Sequence, residues 1–146
     1  MLGEYKNILV PVDGSAQSED SFKKAVAIAK RNNATLHLIC IIDTRNAPLS
    51  PDYASRVDFG EPTAKLEYAF LDEMVTSAES EGVVIKKILT NGNPMTLIAE
   101  AFPKEFNADL IIIGATGKGA LTRVFVGSVS NYVVRHAPCD VLVVRT

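Results

Sequence analysis

The sequence predicts a single α/β domain in which a five-stranded parallel sheet carries helices on both faces. Three observations predict it. Short apolar runs alternate along the chain with amphipathic stretches of helical period. Most of those runs are continuously apolar, the pattern of parallel strands buried on both sides. The fourth, Leu110-Ile-Ile-Ile113, leads straight into a glycine-rich turn, as ligand-binding strand-to-helix connections do.

The strands are expected at Asn7 to Val12, Thr35 to Ile42, Val83 to Leu89, Asp109 to Ile113 and Asp140 to Val144. A first helix starts near Ser15, with Phe22, Ala25, Val26 and Ala29 as its buried stripe. Lys30 and Arg31 suit its last turn, and Asn32-Asn33 stops it. A second opens at Glu61-Pro62 and closes at Gly82, with Leu66, Phe70, Met74 and Ala78 facing inward. The third has Asn93 as cap and Pro94 at its first position, with Leu97, Ile98, Ala101 and Phe102 inward. Pro103 should kink or shorten it. The fourth runs from Ser128 to about His136, buries Val129, Tyr132 and Val133, and ends before Pro138. The stretch from Asp43 to Gly60 has no regular pattern and reads as a lid, a partner-binding loop or an inert insertion.

A chain of 146 residues fits one domain, 1–146, with a hydrophobic core that needs no metal or disulfide. The net charge of −2 argues against nucleic-acid or anionic-membrane surfaces. No apolar run approaches the ~20 residues of a membrane span, and the first residues show no secretory pattern, so a cytoplasmic protein is expected. Cys40 and Cys139 lack a Cys-x-x-Cys partner, and His37 and His136 complete no zinc spacing; both thiols read as buried and structural.

Function is carried by Gly114-Ala-Thr-Gly117, nine further residues, then Gly127-Ser128. Glycines let backbone N–H groups approach an anion closely, and a helix N-terminus adds aligned donors and partial positive charge. Two better-known phosphate motifs are excluded. A Walker A loop needs glycine where Ile112 stands and Ser or Thr where Gly119 stands. A dinucleotide fingerprint needs Gly-x-Gly-x-x-Gly after the first strand, which ends instead in Val12-Asp13-Gly14-Ser15.

On these residues the chain resembles the nucleotide-binding branch of the universal stress proteins over essentially its whole length. Ile8-Leu-Val-Pro-Val-Asp-Gly-Ser15 resembles that family's first strand and acidic turn, and Ile41-Ile42-Asp43 the end of its second strand. Gly114-x2-Gly117-x9-Gly127-Ser128 fits its ATP-binding glycine signature, and His136-Ala-Pro-Cys139 its closing segment. Asp140 departs from the proline of many members.

The resemblance implies a Rossmann-like sheet of the adenine nucleotide α-hydrolase type. It implies ATP as ligand, with Mg2+ or Mn2+, and a homodimer through the last strand, Val141 to Arg145. Gly114, Gly117 and Gly127 are expected to give backbone approach to phosphates. Ser128, as helix cap, and Ser130 would offer hydroxyls; Ile113, Thr116, Lys118 and Val129 lie in or beside the same loop. Pro11, Val12 and Ile41 would flank adenine. Asp13 would meet the ribose or help hold a divalent ion, or else bond to its own turn. No catalytic residue is assigned. The leading function is a nucleotide-dependent stress-response or signalling module with an unidentified protein partner. The alternative is a slow ATP hydrolase or nucleotidyl-transferring enzyme, for which only Arg123 could neutralise transition-state charge and no base is evident. A receiver-type phosphorylation switch is disfavoured because Thr90 and Arg145-Thr146 replace the aspartate and lysine it needs.

Overall fold

The computed structural model describes residues 4–43, 61–115 and 127–145, with the side chains of 61–68 left aside. Five strands form one parallel sheet: β1 (Asn7–Val12), β2 (Thr35–Asp43), β3 (Val84–Gly92), β4 (Leu110–Gly114) and β5 (Asp140–Val144), in the order β3-β2-β1-β4-β5. The helices are α1 (Ala16–Asn32), α2 (Glu61–Ser77), a composite α3 over 94–106, and α4 (Ser128–His136).

Side-chain alternation divides the core between the faces. Ile8, Val10, Leu36, Leu38, Leu110 and Ile112 pack with Phe22, Ala25 and Ala29 of α1 and with Leu71 and Met74 of α2. Leu9, Ile39, Ile111 and Ile113 pack with Ile98, Ala99 and Phe102 of α3 and with Val133 of α4. The chain winds outward through β2 and β3, then crosses back to β4, so right-handed connections place the two helix pairs on opposite faces.

The expected strands and helices are present, and the differences are local: the second helix ends at Ser77 rather than Gly82, and a 3-10 turn over Glu79–Glu81 follows it, closed by Gly82 at φ 72°. Ser15 accepts from Ser18 N to cap α1, and Asn33 closes it in the left-handed region at φ 55°. In α2 the inward residue beside Met74 is Leu71, which is fully buried, while Phe70 is only partly so; Ala78 is buried just past the end of the helix. Leu66 lies outside the described side chains. β3 runs on to Gly92 because its backbone stays paired with β2 as far as Asp43, beyond its apolar residues. Asp109 is not in β4: its carboxylate accepts from Lys6 N at 2.8 Å and Asn7 N at 3.0 Å, fastening the turn before β4 to β1.

Pro103 does not end α3. The helix opens with Pro94–Thr96, widens into a π turn at Leu97–Ala101, and resumes as Phe102–Phe106. There the Phe102 N–H donates to Leu97 O, one residue further back than in an α-helix. A wide turn relieves the clash a proline ring makes with the carbonyl four residues earlier. It also changes the phase of the helix. Ala99 is buried where Ala101 was expected, and Ala101 is exposed.

Candidate functional site: the crevice between β1 and β4

Strand order reverses between β1 and β4, and α/β sheets bind ligands beyond the carboxyl ends of the strands at such a point. The opening is visible in the pairing. β1 pairs with β2 along all of Asn7 to Val12, and β4 with β5 along all of Leu110 to Gly114. β1 and β4 are paired only at Ile8–Leu110 and Leu9–Ile111.

Pro11 supplies the reason. Asp109 N donates to Asn7 O, whereas Thr35 N donates to Lys6 O, so odd-numbered residues of β1 turn their backbone groups toward β4. Pro11 shares that parity and has no N–H to give. A proline in a central strand would ordinarily cost a ladder bond. Here it sits where the two strands part.

The turn after β1 forms one lip of the crevice. Asp13 Oδ1 accepts from Ser15 N at 2.9 Å, and Gly14 takes φ 84°, a conformation that favours glycine. Asp13 thus holds its own turn, as one of its two expected roles required. Val12 is buried in the α1–α2 core; Pro11 is buried as well, and Ile41 is partly buried on the α3–α4 face.

The other lip is built from the ends of the glycine loop. Gly114 is the last residue of β4, opposite Val144, and a Cβ there would lie 3.3 Å from Cβ of Gln17. Close packing of α1 on the strand therefore accounts for this glycine. Ala115 N donates to Val144 O at 2.9 Å, and Gly127 N donates to Ala115 O at 2.6 Å. The two stems of the loop are thereby tied together at the start of α4. Ser130, 4% exposed, donates its hydroxyl to Gly114 O at 2.6 Å and locks the first turn of α4 onto β4.

Two expectations are corrected by this geometry. Gly127, not Ser128, is the N-cap of α4, and it has no side chain to bond the helix N–H groups; Ser128 is the first helical residue and is exposed. The N–H of Gly127 and the hydroxyl hydrogen of Ser130 are both used within the protein. The first-turn amides of Ser128, Val129 and Ser130 have no partner within the helix, and Ser128 is exposed beside them. α4 has no acidic residue in its first turn and carries Arg135 and His136 in its last, so an anion at its start meets favourable partial charge. Ile113 lies buried beneath this lip and Val129 is partly buried beside it.

Thr116, Gly117, Lys118, Arg123 and the 44–60 connection lie outside the described residues. Among the described residues no group of three His, Cys, Asp or Glu side chains could hold a metal, and no helix is long and apolar enough to cross a membrane. Cys40 is buried, and Cys139 is half-buried with its thiol pushed up to about 11 by burial and by Asp140 and Asp109, the opposite of an activated nucleophile. Sequence reasoning missed Ala115 and Gln17. Nothing in a lone alanine marks it as the joint between β5 and α4, and Gln17 reads as an ordinary first-turn residue.

Comparison with known proteins places this architecture. The family model described as "Universal stress protein family" matches residues 4–145. A universal stress protein relative in Staphylococcus aureus (strain USA300) is 43% identical over 143 residues, covering 97% of this chain and 85% of its own. The solved universal stress protein UspA from Lactobacillus plantarum superposes with a TM-score of 0.80 at 35% identity, over 98% of this chain and 99% of that one. A universal stress protein solved in complex with cAMP superposes with a TM-score of 0.70 at 28% identity, over 98% of both chains.

Proposed function

Because this chain belongs to the universal stress protein family, we propose that it is an adenine-nucleotide-binding module, with ATP and a divalent cation, Mg2+ or Mn2+, as its ligand. The observation that carries the reading is the start of α4, which has no side-chain cap bond and is held by Ser130 and Ala115 at the end of β4, where β1 and β4 part. Such a site fits a polyanion next to a flat apolar group. Phosphates lie against the amides of Ser128, Val129 and Ser130 and the hydroxyl of Ser128, with Gly117 and Lys118 of the loop closing on them. Pro11, Val12 and Ile41 flank the base, and Asp13 is at the sugar or at the metal through the phosphates. The cAMP complex of a structural neighbour supports the choice of adenine.

The same reading makes the protein a cytoplasmic homodimer joined through β5, whose bound nucleotide sets its conformation or its choice of protein partner in a stress response. The test is calorimetric titration with ATP, ADP, AMP and cAMP, with and without Mg2+, together with mass spectrometry of whatever small molecule leaves the purified protein on denaturation. Saturable binding that strengthens with the number of phosphates is expected. No binding at millimolar nucleotide would overturn the assignment.

A further inference from the structure

Among the described residues, the one buried side-chain nitrogen or oxygen with no hydrogen-bond partner is Nδ1 of His37. His37 is the third residue of β2 and is 4% exposed. Its ring stacks on Phe106 with centroids 4.6 Å apart, and Phe106 stacks in turn on Phe102 at 5.7 Å. The imidazole is thus the sheet end of an aromatic column that continues into the last turns of α3. Its Nε2 lies 3.4 Å from Oδ1 of Asn7 on β1.

A neutral imidazole has one N–H and one lone pair. With the hydrogen on Nε2, Asn7 accepts it, and Nδ1 keeps only an unused lone pair. An imidazolium has N–H on both nitrogens. Its second donor, on the buried Nδ1, would meet no acceptor, and its charge would be held away from water against the ring of Phe106.

The surroundings offer that charge little compensation. β1 presents the amide of Asn7. β3 presents Lys86, the register partner of His37 and itself a cation. α3 presents Phe102 and Phe106, while its Lys104 and Glu105 are exposed. From the turn before β4, Asp109 holds Asn7, with its two oxygens accepting the N–H groups of Lys6 and Asn7.

We infer that His37 is an acid-sensitive keystone: its neutral ring seats the carboxyl-terminal half of α3 on the sheet, and protonation loosens that seat. Burial, with Lys86 second, lowers its pKa below the ordinary 6.5. As the pH falls below about 6.5, the unfolded chain therefore takes up a proton that the folded protein refuses. The stabilisation is complete above that pH and is lost as acidity rises, until the folded form itself binds the proton. The effect is not confined to α3. Tyr132 of α4 donates to Glu100 of α3 at 3.0 Å, so a loosened α3 releases a support of α4.

The test compares urea unfolding of the full chain between about pH 8 and about pH 5 for wild type and His37→Phe, which keeps a ring for the stack and cannot titrate. Below about pH 6.5 the unfolding constant of wild type should rise relative to the variant as the pH falls, by at most about tenfold per pH unit, the limit for a single proton. His136→Gln, which removes the other histidine of the chain, should keep the wild-type slope. An NMR titration of the His37 ring in wild type reads the same property without any variant. There the ring stays neutral to lower pH than a free histidine, and lower protection of the Phe102, Lys104, Glu105 and Phe106 amides, relative to their intrinsic exchange rates, accompanies its protonation. Parallel pH curves for wild type and His37→Phe, or a ring that titrates at the ordinary value, would overturn the inference.

Discussion

Ser130 and Ser128 are two residues apart on α4 and have different work. Ser130 is buried and gives its hydrogen to the Gly114 carbonyl, while Ser128 is exposed at the start of the helix. Ser130→Ala would leave a carbonyl at the end of β4 without that donor and should lower stability by about 1–2 kcal/mol, the scale of a buried hydrogen bond with one partner removed. The check is the urea midpoint, read beside amide exchange in the first turn of α4, which should quicken. Ser128→Ala should leave the midpoint nearly unchanged, because it caps nothing, and should weaken ATP binding under the proposed function. The pair also shows what the sequence could convey. Gly127-Ser128 announced a helix start, since glycine and serine favour that position. Which of two nearby serines turns inward was not legible, because that depends on where β4 ends against α4. Gly114 was legible as a special glycine, but its close neighbour is Gln17 of α1, a contact no local pattern encodes.

At the scale of an element, Pro11 and Pro103 are exceptions that the fold absorbs in opposite ways. Pro103 is accommodated by widening α3 into a π turn, which rotates Ala101 outward and brings Ala99 in. A stripe read at 3.6 residues per turn had to miss that change of phase. Pro11 is accommodated by ending a ladder, and the crevice begins where the ladder ends. Strand existence was readable because continuous Ile, Leu and Val runs have no other economical use in a chain this length. The pairing that stops after Leu9 and Ile111 was not readable, because parity toward β4 emerges only once the strand order is known. Pro11→Val restores an N–H on the β4 side. It should let the two strands pair further, keep or raise thermal stability, and narrow the mouth. The expected result is ATP affinity reduced about tenfold, ~1.4 kcal/mol, with an unchanged or higher Tm. A variant that binds as wild type does would show that Pro11 is not what holds the crevice open.

The two edges of the sheet are not alike, and the difference bears on assembly of the whole molecule. β3 presents exposed Lys86 and Lys87, the latter paired with Asp72 of α2, and lysines on an edge discourage strand addition. β5 reads Asp-Val-Leu-Val-Val and has β4 on one side only among the described residues. Because Ala115 N donates to Val144 O, even-numbered residues of β5 turn their backbone toward β4. Val141 and Val143 therefore turn theirs toward the open edge. A second copy pairing there would engage those groups, and their side chains already lie against the α3–α4 core. Val141→Pro removes a donor from the outer edge alone, a place where sheets tolerate proline. It should abolish the proposed dimer while leaving the monomer folded. Sedimentation at ~100 μM should show wild type as a dimer whose Tm rises with concentration, and Val141→Pro as a monomer whose Tm does not. Val141 is remote from the start of α4, so the monomer should still bind ATP. Loss of binding with the dimer would instead mean that each crevice draws on its neighbour, and a wild type that stays monomeric would exclude β5 as the interface.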